Sequence, residues 1–118
     1  MANVSETLDK LGFLDTETAL VYFGNMKELY VETVGVYLRD RFDTALQDNY
    51  EAEDWTAYQR VAHSIKSSSN MIGATDMFEK AKSLEMAVKS EDYAFVKENH
   101  DKIMKDYKEL LDKIEGAL

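Results

Sequence analysis

Helix-breaking residues are scarce in this sequence. Proline is absent from all 118 residues, and glycine occurs only at positions 12, 24, 35, 73 and 116. Ala, Leu, Glu, Lys and Met recur throughout, and no segment alternates apolar and polar residues as a half-buried strand would. Because these residue types favour helix and few positions can interrupt one, the sequence predicts an all-α fold.

Length and charge restrict the class of protein further. A chain of 118 residues that is 45% hydrophobic can build one core, so we expect a single domain over residues 1–118. We also expect a monomer, and we favour a free-standing protein over the alternative of a piece of a larger sensor. The net charge of -9 argues against nucleic acid or an anionic membrane as the main partner. The sequence has no cysteine, no apolar run near the roughly 20 residues of a membrane span and no signal-peptide pattern, and we expect a cytoplasmic protein.

Apolar spacing and capping residues divide the chain into helices. We predict helices over residues 5–11, 15–23, 26–48 and 54–72, a helix that starts at 75 and a last one that starts at 90. Each of the four longer helices carries an apolar stripe on one face. In chain order the stripes are Val31, Val34, Leu38, Phe42 and Ala45; Tyr58, Ala62, Ile65, Ser69 and Ile72; Met77, Ala81, Leu84 and Val88; and Val96, Ile103, Tyr107, Leu110 and Ile114. Short connections between the four longer helices favour an up-and-down antiparallel four-helix bundle, with the two short N-terminal helices capping one end.

His63 lies just beside the predicted stripe of its helix. It follows Ala62, so it is turned about 100° away from the buried face and should point outward or lie at the edge of the stripe. The residues that share its face are Gln59, Arg60, Lys66, Ser67 and, one turn further, Asn70. The stretch from 56 to 74 contains no Asp or Glu, although the chain has 23 acidic residues. Such a surface can receive an anion.

The chemistry of this face permits phosphoryl transfer without proving it. A neutral imidazole nitrogen is a good nucleophile near neutral pH. Lys66, one turn after His63, can pair with phosphate oxygens through charge-assisted hydrogen bonds. From the spacing alone, two ordinary surface residues explain the pattern as well.

Three serines follow in mid-helix, at 67, 68 and 69. Serine is a mediocre helix former, and the three together carry a propensity penalty of up to about 1 to 2 kcal/mol relative to alanine. Their small side chains can let a partner or a phosphoryl group approach His63 closely. Alternatively they allow close packing within the bundle, above all at Ser69 on the buried stripe.

The segment Ala-His-Ser-Ile-Lys-Ser-Ser-Ser-Asn-Met-Ile-Gly-Ala, residues 62–74, resembles the signature of histidine phosphotransfer domains. That signature is roughly Ala-His-x-Leu-Lys-Gly-Ser-Ser-x-x-Leu-Gly-Ala. Residues 14–24 and 28–30 are similar to the opening helices of the family, and Leu84-Glu85 is similar to the segment after its motif. The resemblance therefore covers nearly the whole chain.

The resemblance implies a role for His63. It would take a phosphoryl group from the phosphoaspartate of one receiver domain and give it to the aspartate of another, while Lys66 steadies the phosphate. The implied partners are response-regulator receiver domains and a hybrid sensor histidine kinase. Magnesium and most of the electrostatic catalysis would belong to the receiver, so no cofactor is expected on this chain. It would be a carrier without kinase activity of its own, and its isolated glycines form no phosphate-cradling loop.

We expect a partner to contact an exposed apolar patch near the histidine and five polar residues of its helix, namely Gln59, Arg60, Ser67, Ser68 and Asn70. Ser67 departs from the family pattern, which has glycine there, and narrows the approach to His63. A module that binds receivers or a kinase without transferring phosphate is therefore the alternative function.

Two further residues complete the candidate set. Glu85 occupies a position from which family members present a polar side chain to the histidine, where a carboxylate can orient the imidazole N–H but also repel phosphate. A solvated helix face is the simpler interpretation of Glu85. His100 is expected to pack at the edge of the bundle, and two histidines so placed do not form a metal site.

Overall fold

The computed structural model describes residues 3–118, which form seven α-helices and no β-strand. The helices are α1 Val4–Lys10, α2 Thr16–Tyr22, α3 Lys27–Arg39, α4 Asp43–Glu51, α5 Trp55–Ile72, α6 Thr75–Lys89 and α7 Tyr93–Ala117. The predicted all-α class is confirmed.

A four-helix bundle forms the body of the molecule, as predicted. Its first helix is divided into α3 and α4, and α5, α6 and α7 are the other three. α5 packs most extensively against α6, and α6 packs against α7. Both α3 and α4 contact α5 and α7, which closes the bundle. The short α1 and α2 pack on α3 and α5, and the whole measures 44 × 24 × 18 Å.

The prediction of a single long helix over residues 26–48 is wrong, because the chain leaves helical geometry between α3 and α4. The backbone N–H of Phe42 donates a 3.0 Å hydrogen bond to the hydroxyl of Tyr107 on α7 instead of continuing the α3 ladder. Arg41 pairs with Asp43 at 3.0 Å across the break. The sequence has no proline or glycine at this interruption. The break is stabilised instead by Tyr107, which comes from another helix.

Four smaller predictions were also wrong. His100 does not pack at the edge of the bundle but is fully buried where α4, α5 and α7 meet, because Tyr58 and Gln47 satisfy both of its ring nitrogens. Ala45 is exposed while Leu46 is buried, because the break shifts the buried face of α4. In α7, Leu110 is half-buried and Leu111 takes the core position. Ser90 ends α6, with its hydroxyl donating to the carbonyl of Met86, and Asp92 caps the N-terminus of α7.

The predicted caps at the ends of α2 and α5 are confirmed. The side chains of Asp15 and Asp54 each accept a backbone N–H in the first turn of their helices, and Gly73 ends α5 with φ 81°. Gly73 also accepts a hydrogen bond from the N–H of Asp15 at 2.9 Å, and a β-carbon on it would clash with the Asp15 carbonyl oxygen. Glycine is therefore required here both by conformation and by contact. This contact holds the start of α2 against the end of α5.

Candidate functional site

His63 projects from α5 away from the core. Its side chain is 58% exposed, whereas its neighbour Ala62 is fully buried. The buried residues of α5 are those of the predicted stripe: Tyr58, Ala62, Ile65, Ser69 and Ile72. Tight burial of this stripe fixes the rotation of α5 and so holds the imidazole at the surface.

Glu85 does not lie on a solvated helix face, contrary to the simpler interpretation of the sequence. It is only 2% exposed, on the side of α6 that packs against α5. Its Oε2 lies 2.6 Å from Nδ1 of His63, and its Oε1 accepts a 2.6 Å hydrogen bond from Nζ of Lys66. The stretch without acidic residues around His63 thus receives a carboxylate from the neighbouring helix.

This carboxylate determines which nitrogen of His63 is free. An ionised carboxylate can only accept hydrogen bonds, so Nδ1 must carry the proton and donate. In the neutral ring Nε2 then keeps its lone pair. Nε2 is therefore the nitrogen of this largely exposed imidazole whose lone pair is free.

Glu85 is ionised at neutral pH despite its burial. Burial by itself raises the pKa of its carboxyl, but the hydrogen bonds and charges of Lys66 and His63 outweigh this effect, and the pKa lies below its ordinary value. Lys89, one turn further along α6, places its Nζ 4.0 Å from Oε2 of Glu85. Lys89 was missed in the sequence, where its spacing of four residues from Glu85 was the available signal.

The three consecutive serines have three different environments. Ser67 is exposed and lies one turn from His63. The hydroxyl of Ser68 donates to the carbonyl of Ser64 in its own helix at 2.8 Å. Ser69 is fully buried and pairs with the hydroxyl of Tyr37 at 2.8 Å. Close packing within the bundle therefore explains Ser69, while Ser67 lies where a partner can reach it.

An apolar surface lies one turn along α5 from His63. A cavity of about 350 Å³ is lined by Tyr22, Phe23, Ser67, Asn70 and Met71. Tyr22 is 77% and Met71 50% exposed, and Val21 and Met26 are exposed nearby in sequence. The predicted apolar patch thus has identified members, and α2 supplies part of it.

The other predicted contact residues surround the histidine on α5. Arg60 and Asn70 are exposed, and Gln59 is half-buried. Of these residues only Asn70 lines the cavity beside Met71. Arg60 instead adds a positive charge on the turn before His63.

Neither a metal cluster nor a membrane span is found within residues 3–118. No group of three or more His, Cys, Asp or Glu side chains is placed to hold a metal ion there. None of the seven helices combines the length and apolarity needed to cross a bilayer.

The fold and site together define a class of protein, a helical bundle that presents one histidine at its surface, with a buried carboxylate that joins the imidazole to an ammonium group. The family model of the Hpt domain matches residues 25–117. Since the match covers well over half of the sequence, this chain belongs to the Hpt domain family. No curated protein and no solved structure matches it significantly.

Membership establishes the activity at the level of the family. Hpt domains serve histidine phosphotransfer in two-component phosphorelays, as phosphoryl carriers and not as kinases, and they interact with receiver domains and kinases. The matched segment contains α3 to α7. Helices α1 and α2, including Tyr22, lie outside it.

Proposed function

We propose that this protein is a phosphorelay intermediate in which Nε2 of His63 carries the phosphoryl group. It would receive this group from the phosphoaspartate of one receiver domain and pass it to the aspartate of a second. The observation that supports the proposal most directly is the hydrogen bond between Nδ1 of His63 and Glu85, which leaves Nε2 as the nucleophile on an exposed ring.

The transfer step follows from the tautomer. The lone pair of Nε2 forms a bond to phosphorus while the bond from phosphorus to the aspartyl oxygen breaks, and the leaving carboxylate keeps that electron pair. No proton has to move, because Nδ1 keeps its hydrogen. The ring gains positive charge, which the buried carboxylate of Glu85 stabilises across 2.6 Å. Attack by a second aspartate reverses the step.

Lys66 is the residue we propose for phosphate stabilisation. Its Nζ is already anchored to Glu85, on the helix face that carries His63. The ammonium group can offer its remaining protons to phosphoryl oxygens while Oε1 of Glu85 holds it in place. We expect the Mg²⁺ ion of the reaction in the receiver, beside the aspartate.

The apolar surface around Tyr22 and Met71 is the docking site we propose for the receiver. Exposed apolar side chains beside a reactive group are typical of a protein interface. A second groove of about 190 Å³, which Met71 shares with Val36 and Phe42, extends this surface along α3 and α5. Ser67 and Asn70 line the cavity from α5, one and two turns along the helix from His63, and would contact the same partner.

The test is phosphoryl uptake by the wild type and by His63→Gln. Each is incubated with a phosphorylated receiver and, separately, with a small phosphodonor such as phosphoramidate. We expect acid-labile label on the wild type, as a phosphohistidine gives, and none on His63→Gln. Label that remains on His63→Gln, or acid-stable label, would assign the phosphate to another residue and refute the role of His63.

Binding measurements separate the relay from the alternative of a non-transferring interaction module. A relay predicts that His63→Gln still binds the receiver but no longer supports transfer. The alternative predicts receiver binding with no label on the wild type from any donor, and equal signalling by the variant. Its support is Ser67, which is exposed at the position where the family pattern has glycine.

A further inference from the structure

Two residues of α5 lie beside His63 on opposite sides, one turn further along the helix. At 3.6 residues per turn, Lys66 is turned about 60° from His63 around the helix axis in one direction, and Ser67 is turned about 40° in the other. Both are close enough along the helix for their side chains to be neighbours of the imidazole. The histidine therefore has a lysine on one side and a serine on the other.

Contacts with other helices show which side each residue takes. Nζ of Lys66 and Nδ1 of His63 both bind the carboxylate of Glu85, so they face α6. Ser67 instead lines the cavity that Tyr22 of α2 also lines. Because Nε2 belongs to the part of the ring that is turned away from Glu85, it lies toward the side of Ser67.

The hydroxyl of Ser67 is free to donate. Serines inside a helix commonly donate to the backbone carbonyl four residues earlier. Ser64 and Ser68 do so, at 3.1 and 2.8 Å, and Ser69 pairs with Tyr37. Of the four serines of α5, Ser67 is the one whose hydroxyl has no hydrogen-bond partner within residues 3–118, and its side chain is exposed. Its proton is therefore available to a group that arrives from solution.

The direction of the serine side chain brings this hydroxyl toward His63. The bond from Cα to Cβ in an α-helix tilts toward the N-terminus, so the side chain of Ser67 leans over the turn that carries the histidine. The β-carbons of residues four apart on a helix lie about 5 to 6 Å from each other. A phosphoryl group on Nε2 would extend its oxygens into this gap.

A phosphoryl group on His63 needs more donors than Lys66 supplies. It carries three strong acceptor oxygens, whereas the ammonium group of Lys66 approaches from the α6 side and already donates to Glu85. The cavity on the other side is lined mainly by aromatic and apolar side chains, and its second polar residue on α5, Asn70, is a turn further from His63 than Ser67 is. Within this cavity lining, Ser67 is therefore the α5 donor nearest to the histidine.

We propose that Ser67 is a second phosphate-binding residue of the site, whose hydroxyl donates a hydrogen bond to the phosphoryl group on Nε2 of His63 from the side opposite Lys66. The proposal rests on the proposed function of His63 as phosphoacceptor and adds a catalytic residue to it. Ser67 keeps its proton and forms no covalent bond. A glycine at this position, as in the family pattern, would have no side chain with which to do this.

The experiment measures the initial rate of phosphohistidine formation from phosphoramidate in the wild type, Ser67→Ala and Ser67→Gly. In this reaction the bond between Nε2 and phosphorus forms while the phosphorus–nitrogen bond of phosphoramidate breaks and ammonia leaves. The donor is small, so the rate does not depend on how a receiver fits the docking surface. Alanine removes only the hydroxyl, and glycine removes the β-carbon as well.

Both variants should be slower than the wild type by about three- to tenfold, the effect of one net hydrogen bond on the transition state. They should agree with each other within about twofold, because both lack the donor. Ser64→Ala is the matched control, since the hydroxyl of Ser64 is already bound to the backbone of its own helix. Its rate should stay within about twofold of the wild type. The ³¹P chemical shift of the phosphohistidine should change in both Ser67 variants and stay constant in Ser64→Ala.

A wild-type rate in either Ser67→Ala or Ser67→Gly, or an unchanged ³¹P chemical shift in Ser67→Ala, would overturn the role of the hydroxyl. If Ser67 acted only by its size, Ser67→Ala would behave like the wild type. These outcomes leave the proposed function intact, because the wild type still carries label on His63. Absence of label from the wild type would refute the proposed function and this inference with it. Circular dichroism checks that each variant is folded, and Ser67→Ala decides the question by itself if glycine unfolds the helix.

Discussion

The carboxylate of Glu85 holds the imidazole of His63 from the neighbouring helix, with 2.6 Å between Oε2 and Nδ1. Its second oxygen accepts from Lys66 at the same distance. One buried anion therefore sets the tautomer of His63 and holds the ammonium group of Lys66 on its second oxygen.

Glu85→Gln should slow phosphoryl transfer. The amide keeps the size of the side chain and an acceptor for Nδ1–H, but it removes the negative charge that stabilises the ring once phosphorus is bound. A hydrogen bond to a charged group contributes about 1.5 to 3 kcal/mol, so the rate should fall by about 10- to 100-fold. Rapid-quench transfer from a phosphorylated receiver measures this rate. Glu79→Gln, an exposed change on the same helix, is the control, and an unchanged rate in Glu85→Gln would contradict the role of the charge.

Glu85 should also make stability depend on acid. Because its pKa is lowered in the folded state, its contribution is complete above the ordinary value of 4.5 and is lost as pH falls through the folded-state pKa. At pH 6, Glu85→Gln should therefore cost about 1 to 3 kcal/mol of unfolding free energy. Urea denaturation of both proteins between pH 6 and pH 3 should show the difference shrinking. A difference that is constant with pH would mean that the carboxylate charge contributes nothing.

Gly73→Ala should destabilise the protein and loosen α2. Alanine would adopt a left-handed conformation, and its β-carbon would meet the backbone of Asp15, whose carbonyl carbon lies 2.9 Å from that position. We expect a loss of about 2 to 4 kcal/mol, measured by urea denaturation. Gly24→Ala is a matched control, with φ 60° and no atom within 4 Å of the added carbon, and should cost about 1 kcal/mol. Equal costs would show that the contact with Asp15 is unimportant.

Tyr22→Ala should weaken receiver binding without weakening the fold. The side chain is 77% exposed and lines the cavity beside Met71, so its removal takes contact area from a partner and little from the core. A residue central to an interface costs about 1 to 3 kcal/mol of binding, or roughly 5- to 150-fold in Kd by titration calorimetry.

Phe13→Ala is the control for Tyr22→Ala, since Phe13 is also exposed but lines a different cavity with residues of α6 and α7. It should leave Kd nearly unchanged. Equal effects of the two substitutions would place the docking surface elsewhere.

Features set by near neighbours in the chain could be predicted from the sequence. The buried stripe of α5, its N-cap Asp54 and its C-cap Gly73 all depend on residues within one or two turns, and all three predictions are confirmed. The exposure of His63 followed from the same local geometry. The short N-terminal helices were predicted for the same reason, although their contact with the end of α5 was not.

Features set by distant residues could not be predicted. The break between α3 and α4 depends on the hydroxyl of Tyr107, 65 residues from Phe42, and no local signal announces it. The environment of Glu85 was misjudged because a carboxylate is normally solvated unless a specific partner is brought to it. Here Lys66 and His63 come from another helix and compensate its burial.

The sequence by itself determined the helical class, the register of α5 and the position of the histidine at the surface, because apolar periodicity and capping act within a few residues. Only the tertiary structure decided which nitrogen of that histidine is free and which residues form the cavity beside it. These depend on side chains from α2, α5 and α6 that meet when the helices pack, and the distances between them are set by the core and not by spacing along the chain.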